Sequence, residues 1–333
     1  MTPLRLSNTK ASTFRRCPLK YKFTYEDGLR PIKQPIQLYR GDALHQMIMT
    51  HYDGRDWRER HALLTEKFNA LFEEEREEYG DLPTELARIM TSYVRHYKRE
   101  DRHWKVLDTE LDETVELPNG DTLNFIVDLV VQEEDGGIWV VDHKCVKEFL
   151  PDGYMQLDTQ LARYTWGMTK VGYPDIRGVM LNEIRTKAPT IPEQGKNGRF
   201  TQRHNLSCDA GTYLETVKAA GQDPRDYKAF IQFLATQSDK WFRRTRLPRD
   251  KPMVQTVMRE LLMTSREIKE ATKRQQFPRT VSRECNWDCA FFNPCVILMQ
   301  GGDPTDAIKL KFKTTKREDD LENKPTKILK EGK

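Results

Sequence analysis

The chain has 333 residues, of which 37% are hydrophobic and 32% charged, with a formal net charge of +4. That length suits one large domain or two modest ones, and no apolar run is long enough to span a membrane. The small net charge excludes a uniformly basic, nucleic-acid-coating surface but not a local basic groove.

The opening, MTPLRLSNTKASTFRRCP, lacks the apolar core of a secretory signal, so a cytoplasmic protein is expected. Ser7 is a natural N-cap for helical structure over residues 7–25, with Phe14, Leu19, Tyr21, Phe23 and Tyr25 on the apolar side and Pro18 as a kink or restart. RGDALHQMIMTHY predicts a short amphipathic helix over 40–52. Residues 57–98 carry two charged helical segments split by YGDLPTE, with Thr84 as the expected cap of the second.

The character changes near residue 104. WKVLDTELDETVEL, TLNFIVDLVVQ and IWVVDHK predict three strands, joined by tight turns at PNGD and EEDGG. MQLDTQLARYTWGMTKVG predicts a helix closed by Gly172, and DIRGVMLNEIRT a further strand. Residues 186–206 are a polar, basic loop or hairpin, and 209–273 are mostly helical. From about residue 303 the chain is rich in Lys, Asp and Glu, which predicts a disordered tail over 303–333. The expected fold class is α/β: a mixed sheet flanked by helices. The expected domain spans 1–302, with a helical insertion at about 54–100, the sheet at about 103–186 and a helical part at about 208–273.

Two constellations bear chemistry. Asp142 and Lys144 stand two apart in a strand and project to one face. Asp128 lies in the preceding strand, so the hairpin makes the acids neighbours. Two such carboxylates suit a hard divalent cation, and Lys144 can hold and polarise a water beside a scissile phosphate. In isolation an Asp–Lys pair is most often a surface ion pair worth under about 1 kcal/mol. Gln160 and Tyr164, four apart, share a face of the next helix. The second constellation is RECNWDCAFFNPC, where Cys285, Cys289 and Cys295 form C-x3-C-x5-C. Clustered thiols in an intracellular chain favour a metal or iron–sulfur site over free cysteines. No His lies near enough for a local Cys3His zinc site, so a fourth thiolate must come from afar, and Cys17 is the candidate.

An Asp, a hairpin turn, (D/E)-x-K and then Q-x-x-x-Y resemble the PD-(D/E)XK nuclease superfamily, most nearly its RecB-like exonuclease branch with the CRISPR-associated and AddB-type iron–sulfur nucleases. LSNTKASTFRRCPLKYKFTY is similar to that branch's opening segment and RGDALHQMI to its G-x-x-x-H motif. The resemblance covers roughly residues 4–52, 104–186 and 285–297. It implies a restriction-endonuclease-like core. It also implies Mg²⁺ or Mn²⁺ on His45, Asp128, Asp142 and the Val141 carbonyl, with Lys144 positioning the water and Gln160 and Tyr164 supporting the site. Glu110 is a further acid where many members carry one. The branch also implies a 4Fe–4S cluster on Cys17, Cys285, Cys289 and Cys295; the x3 spacing, where x2 is commoner, leaves zinc open.

Backbone phosphates call for Lys and Arg. Arg185, Lys187, Lys196, Arg199 and Arg203 lie along or just before the 186–206 loop. Arg243, Arg244 and Arg246 beside Trp241 and Phe242 suit single-stranded or frayed ends. The expected function is a metal-dependent exonuclease on linear DNA, in phage DNA processing or with recombination or repair partner proteins. The alternatives are a structure-specific endonuclease and a non-catalytic DNA-binding or scaffold subunit. No Walker A motif occurs, which argues against a fused helicase.

Overall fold

The computed structural model describes residues 3–33 and 36–315. Strand β1 (Arg5–Leu6) leads into α1 (Asn8–Arg16) and α2 (Pro18–Tyr21), followed by a π-helical turn (Lys22–Glu26) and β2 (Leu29–Pro31). Then come α3 (Ile36–Tyr52), α4 (Trp57–Asn69), α5 (Glu73–Tyr79) and α6 (Leu82–Asp101), and the meander β3 (Lys105–Glu116), β4 (Thr122–Gln132), β5 (Ile138–Val146). Helices α7 (Asp152–Leu157) and α8 (Thr159–Met168) precede β6 (Ile176–Arg185). The remainder is α9 (Ala210–Ala219), α10 (Lys228–Ala235), β7 (Phe242–Pro248), α11 (Lys251–Arg274), α12 (Cys285–Asp288), α13 (Phe292–Met299), α14 (Thr305–Lys311) and β8 (Phe312–Thr314).

Local chemistry explains the starts and turns. The Ser7 hydroxyl accepts the Lys10 N–H at 3.1 Å and caps α1, and Pro18 opens α2, where its missing N–H costs nothing. Between β3 and β4, Gly120 adopts φ +76°, and between β4 and β5, Gly136 adopts φ +83°; both turns need that left-handed backbone. Thr84 is not a cap. Pro83 is tolerated only in a first turn, so α6 begins ahead of it, after Asp81. The helix read over 155–172 is two, α7 and α8, and α8 ends at Thr169 rather than Gly172.

The main sheet is mixed, in the order β1-β4-β5-β6-β7, with β3 on the other edge of β4. Strand β4 runs antiparallel to β3 and β5, β5 runs parallel to β6, and β7 closes the edge antiparallel to β6. This is the mixed α/β sheet flanked by helices that the sequence predicts. One face packs on α3, α4 and α6 through Leu44, Ile48, Ile89, Val141 and Met180. The other packs on α1, α8 and α11 through Phe14, Val140, Leu161, Val179 and Leu261. At Gly167 a side chain would meet the Phe125 ring at 2.5 Å, so the glycine lets α8 lie directly on β4.

Two stretches depart from expectation. Within 209–273, otherwise helical as read, FRRTRLP forms the edge strand β7. The reading of disorder from 303 fails for its first part, because α14 and β8 are built. Strand β8 pairs with β2, and Phe312 stacks on Phe291 with ring centroids 4.8 Å apart. Burying that aromatic offsets the polar composition around it. Residues 316–333 of the expected tail lie outside the described residues. No described helix is long and apolar enough to cross a membrane.

Candidate active site

The site lies where β4 and β5 separate. Their pairing ends at Leu129↔Val141, so Asp128 and Asp142 flank the point where the strands part. The His143 N–H, no longer needed by a ladder partner on β4, donates to Asp128 Oδ2 at 2.7 Å. From α3, His45 Nε2 lies 3.2 Å from Asp128 Oδ1. The Lys144 ammonium lies 2.8 Å from Asp142 Oδ2 and donates to Gln160 Oε1 at 3.2 Å. Gln160 Nε2 in turn donates to the Tyr164 hydroxyl at 2.6 Å. Gln160 is itself positioned by Asp158, which caps α8 by accepting the Gln160 N–H at 2.7 Å. Asp128, Asp142, Lys144, Gln160, Tyr164 and His45 therefore belong to one connected cluster.

Burial sets the electrostatics. At Asp142 (side chain 3% exposed) desolvation dominates and raises the carboxyl above its ordinary value, with Lys144 opposing and Asp128 adding to the rise. At Asp128 burial also pushes upward, but the charge and hydrogen bond of His45, then His143 and Lys144, outweigh it and hold the carboxyl well below the usual range. Burial lowers the affinity of His45 for a proton, and Asp128 more than offsets this, so His45 is raised. Lys144 is likewise held well above its ordinary value: desolvation opposes its charge, and Asp142 outweighs it.

The other site residues divide. Glu110 stands opposite Asp128 across the β3–β4 ladder and has φ +50°, a left-handed strand residue. A non-glycine residue held there is uncommon and strained. Burial raises its carboxyl, opposed by His45. Val141 pairs with both Leu129 and Met180 in the sheet interior. Among the described residues no group of three His, Cys, Asp or Glu side chains is arranged to hold a metal ion; here the acids carry Lys144 and His45 as their counter-charges.

The arginines near β7 are not the exposed platform expected of them. Trp241 and Phe242 are buried, and Arg244 is enclosed against Asp101 at 2.6 Å. Arg246 pairs with Glu133 at 2.5 Å and Arg243 with Glu183 at 2.6 Å. Arg185 leans back onto Glu148 at 2.8 Å and the Lys147 carbonyl. Lys187, Lys196, Arg199 and Arg203 are exposed. The sequence reading missed Glu183. It lies fully buried beside Lys144 in the β5–β6 register and accepts the Leu150 N–H at 2.7 Å, fixing the loop that leaves β5. An acid inside the apolar run GVMLNEI was the available signal.

The four cysteines converge although Cys17 lies at the opposite end of the sequence. Cys17 sits in extended backbone between α1 and α2, Cys285 opens α12, Cys289 follows it and Cys295 lies in α13. All four line a single cavity of about 140 Å³ that Phe23, Phe291 and Phe292 also bound. The Thr280 N–H points at Cys17 Sγ at 3.5 Å and the Ser282 N–H at Cys285 Sγ at 3.4 Å. Arg16 bridges to Glu284 at 2.6 Å and Asp288 at 2.7 Å, joining the same segments. Cys145, by contrast, is a half-buried thiol pushed up to about 12 by desolvation, and packs beside Gly41.

Comparison with known proteins agrees with this architecture. The family model described as the PD-(D/E)XK nuclease superfamily matches residues 5–296. No curated protein matches the chain. A solved structure described as "Crystal structure of SSO0001" is similar at 12% identity over 86% of this chain and 83% of that one, with a TM-score of 0.32, too low to carry an argument.

Proposed function

The chain belongs to the PD-(D/E)XK nuclease superfamily, and from that premise we propose that it is a divalent-metal-dependent DNA exonuclease with an iron–sulfur staple. The carrying observation is the cluster at the β4–β5 split, where Asp128, Asp142 and Lys144 meet Gln160. His45, Asp128 and Asp142 offer one imidazole and hard carboxylate oxygens, the donor chemistry that Mg²⁺ or Mn²⁺ accepts, and the Val141 carbonyl is a further oxygen. Asp142 Oδ2 is buried and meets the Lys144 ammonium at 2.8 Å, so this oxygen already accommodates a positive charge. When bound, the cation supplies Lewis acidity and a more acidic water.

This chain's own groups do the rest. Lys144, oriented by Asp142 and Gln160, holds the attacking water and donates to the phosphoryl oxygen as negative charge grows on it. Tyr164 fixes Gln160, and through it the lysine. The low-dielectric surroundings strengthen each of these contacts. Glu110 stands ready as a second acid on the side of Asp128. The exposed Lys187, Arg199 and Arg203, and Arg185 where it leaves β6, are proposed to track the DNA backbone.

Four thiolates suit a 4Fe–4S cluster. The Cys17, Cys285, Cys289 and Cys295 set lines one cavity with main-chain N–H groups aimed at two of its sulfurs, and zinc is the alternative occupant. The test is cleavage of end-labelled linear single- and double-stranded DNA with Mg²⁺ or Mn²⁺ and with EDTA, alongside the visible spectrum of protein purified without oxygen. Metal-dependent loss of the end label and no cutting of closed circles is the expected result. Cutting of closed circles makes the protein an endonuclease. A brown protein that binds DNA and cleaves none makes it a scaffold subunit.

A further inference from the structure

His143 stands between the two reactive residues of β5 but faces the opposite layer. Its ring stacks on Tyr52 of α3, with centroids 5.5 Å apart and planes 14° apart. The Asn182 amide on β6 lies 2.7 Å from His143 Nδ1 and donates to the Tyr93 hydroxyl at 2.7 Å. Arg244 on β7 then closes the network: it donates to the Tyr52 hydroxyl at 2.7 Å, the Tyr93 hydroxyl at 3.3 Å and Asp101 at 2.6 Å. Its guanidinium lies over the rings of Tyr97 and Trp104, at 3.4 and 4.1 Å from their centroids.

The network has more structure than a core needs. A buried polar group is costly unless paired, and an apolar core of the same shape is often as stable. Here one guanidinium, two tyrosines, an aspartate and an asparagine are all buried or nearly so, and they converge on one histidine. The main chain of that histidine makes the hydrogen bond to Asp128 Oδ2 at 2.7 Å. The two contacts of the ring, with Tyr52 and Asn182, hold the residue in place on β5, and with it the N–H that faces Asp128.

We propose that Asn182 and Tyr52 are positioning residues for the reaction: they hold the His143 ring and, through the His143 main chain, set the carboxylate of Asp128. The inference rests on the nuclease reading, in which Asp128 is a metal ligand. Neither touches the reacting atoms; each acts through His143.

The chain has seven histidines, so metal-free protein labelled with ¹⁵N-histidine gives seven main-chain amide signals, and His143→Phe identifies that of His143 by its loss. Asn182→Leu and Tyr52→Leu are expected to shift this signal and to speed its hydrogen exchange about tenfold. Both are also expected to weaken Mn²⁺ binding about tenfold, with an unchanged circular dichroism spectrum. Tyr52→Phe keeps the stacked ring and is expected to bind Mn²⁺ within about threefold of wild type. A merely structural network moves the melting temperature, the His143 amide signal and its exchange rate, and leaves the Mn²⁺ titration of the folded variants alone; that result overturns the inference. Where Asn182→Leu does not fold, the contrast between Tyr52→Leu and Tyr52→Phe decides. If the wild-type protein binds no Mn²⁺ and cleaves no DNA, the nuclease reading fails and this inference with it. If wild type binds Mn²⁺ and the variants match it, only this inference fails.

Discussion

The acid seam and the cysteine lobe gather their residues in different ways. Most of the acid seam comes from residues 128–164, and a hairpin and the next helix bring them together. Its acids are buried or nearly so among counter-charges, and each is oriented by a hydrogen bond. The cysteine lobe joins residue 17 to residues 285–295 around a largely apolar cavity. The first region depends on strand register, where a slip of one residue turns Asp142 and Lys144 to the other face. The second, on the proposed cluster reading, depends on closing a loop that spans nearly the whole chain. Chemistry should therefore be lost by damage at the seam, and stability by damage at the lobe.

The largest expected effect tests the lobe. Closing a loop of this length is worth up to about 5 kcal/mol in chain entropy. On the proposed cluster reading, Cys17→Ser should bleach the visible absorbance and lower the unfolding free energy by an amount of that order, while the folded fraction still cleaves DNA. Loss of cleavage in protein shown to be folded would break the division of labour. Next, Lys144→Ala removes the one cation beside Asp142 and should lower the cleavage rate about 10²–10³-fold, with DNA binding kept in a gel-shift assay. An unchanged rate would remove Lys144 from the chemistry.

A third experiment asks whether anything besides the cysteines holds the chain start. Fully buried Asp121 accepts the Leu4 N–H at 2.8 Å, pairs with Lys269 of α11 at 2.5 Å and accepts the Ser265 hydroxyl. Burial acts to raise its carboxyl, yet Lys269, Ser265 and Leu4 outweigh that and depress it. The stabilisation of a depressed acid is present above its unfolded value of about 4 and lost as pH falls through the folded value. Asp121→Asn should cost about 1.5–3 kcal/mol at pH 7, and its deficit against wild type should shrink below pH 4 in urea melts. A deficit constant with pH would deny the carboxylate this role. The smallest effect belongs to Arg16→Ala. Its two ion pairs are 40–50% exposed, so about 0–1 kcal/mol is expected. A larger loss in a denaturant melt would mean that these bridges, and not the thiols, tie α1 to α12.

How much was legible follows the same division. The three-strand meander was readable because PNGD and EEDGG carry glycines that must take φ > 0, between runs of β-branched residues. The acid set followed from it, since i,i+2 spacing and one hairpin dictate adjacency. Strand β7 was not readable. FRRTRLP carries three arginines, and only Glu183, Asp101 and Glu133, drawn from elsewhere in the fold, make an arginine-rich strand stable there. The same arginines looked like a surface for DNA for that reason: sequence shows charge and not its partner. Phe312 and β8 were hidden by polar neighbours, and their order rests on β2 and Phe291, far away in the chain.

By itself, then, the sequence determined the local geometry of this protein: the turns, the paired acids, the lysine beside them and the glutamine–tyrosine face. Backbone sterics and residue spacing are enough to decide those. Tertiary structure alone decided that β4 and β5 part beside Asp128, that Arg244 is buried behind His143 rather than offered to a ligand, and that Cys17 lines one cavity with Cys285, Cys289 and Cys295. Each of these depends on which surfaces share a core, and burial is a property of the whole fold.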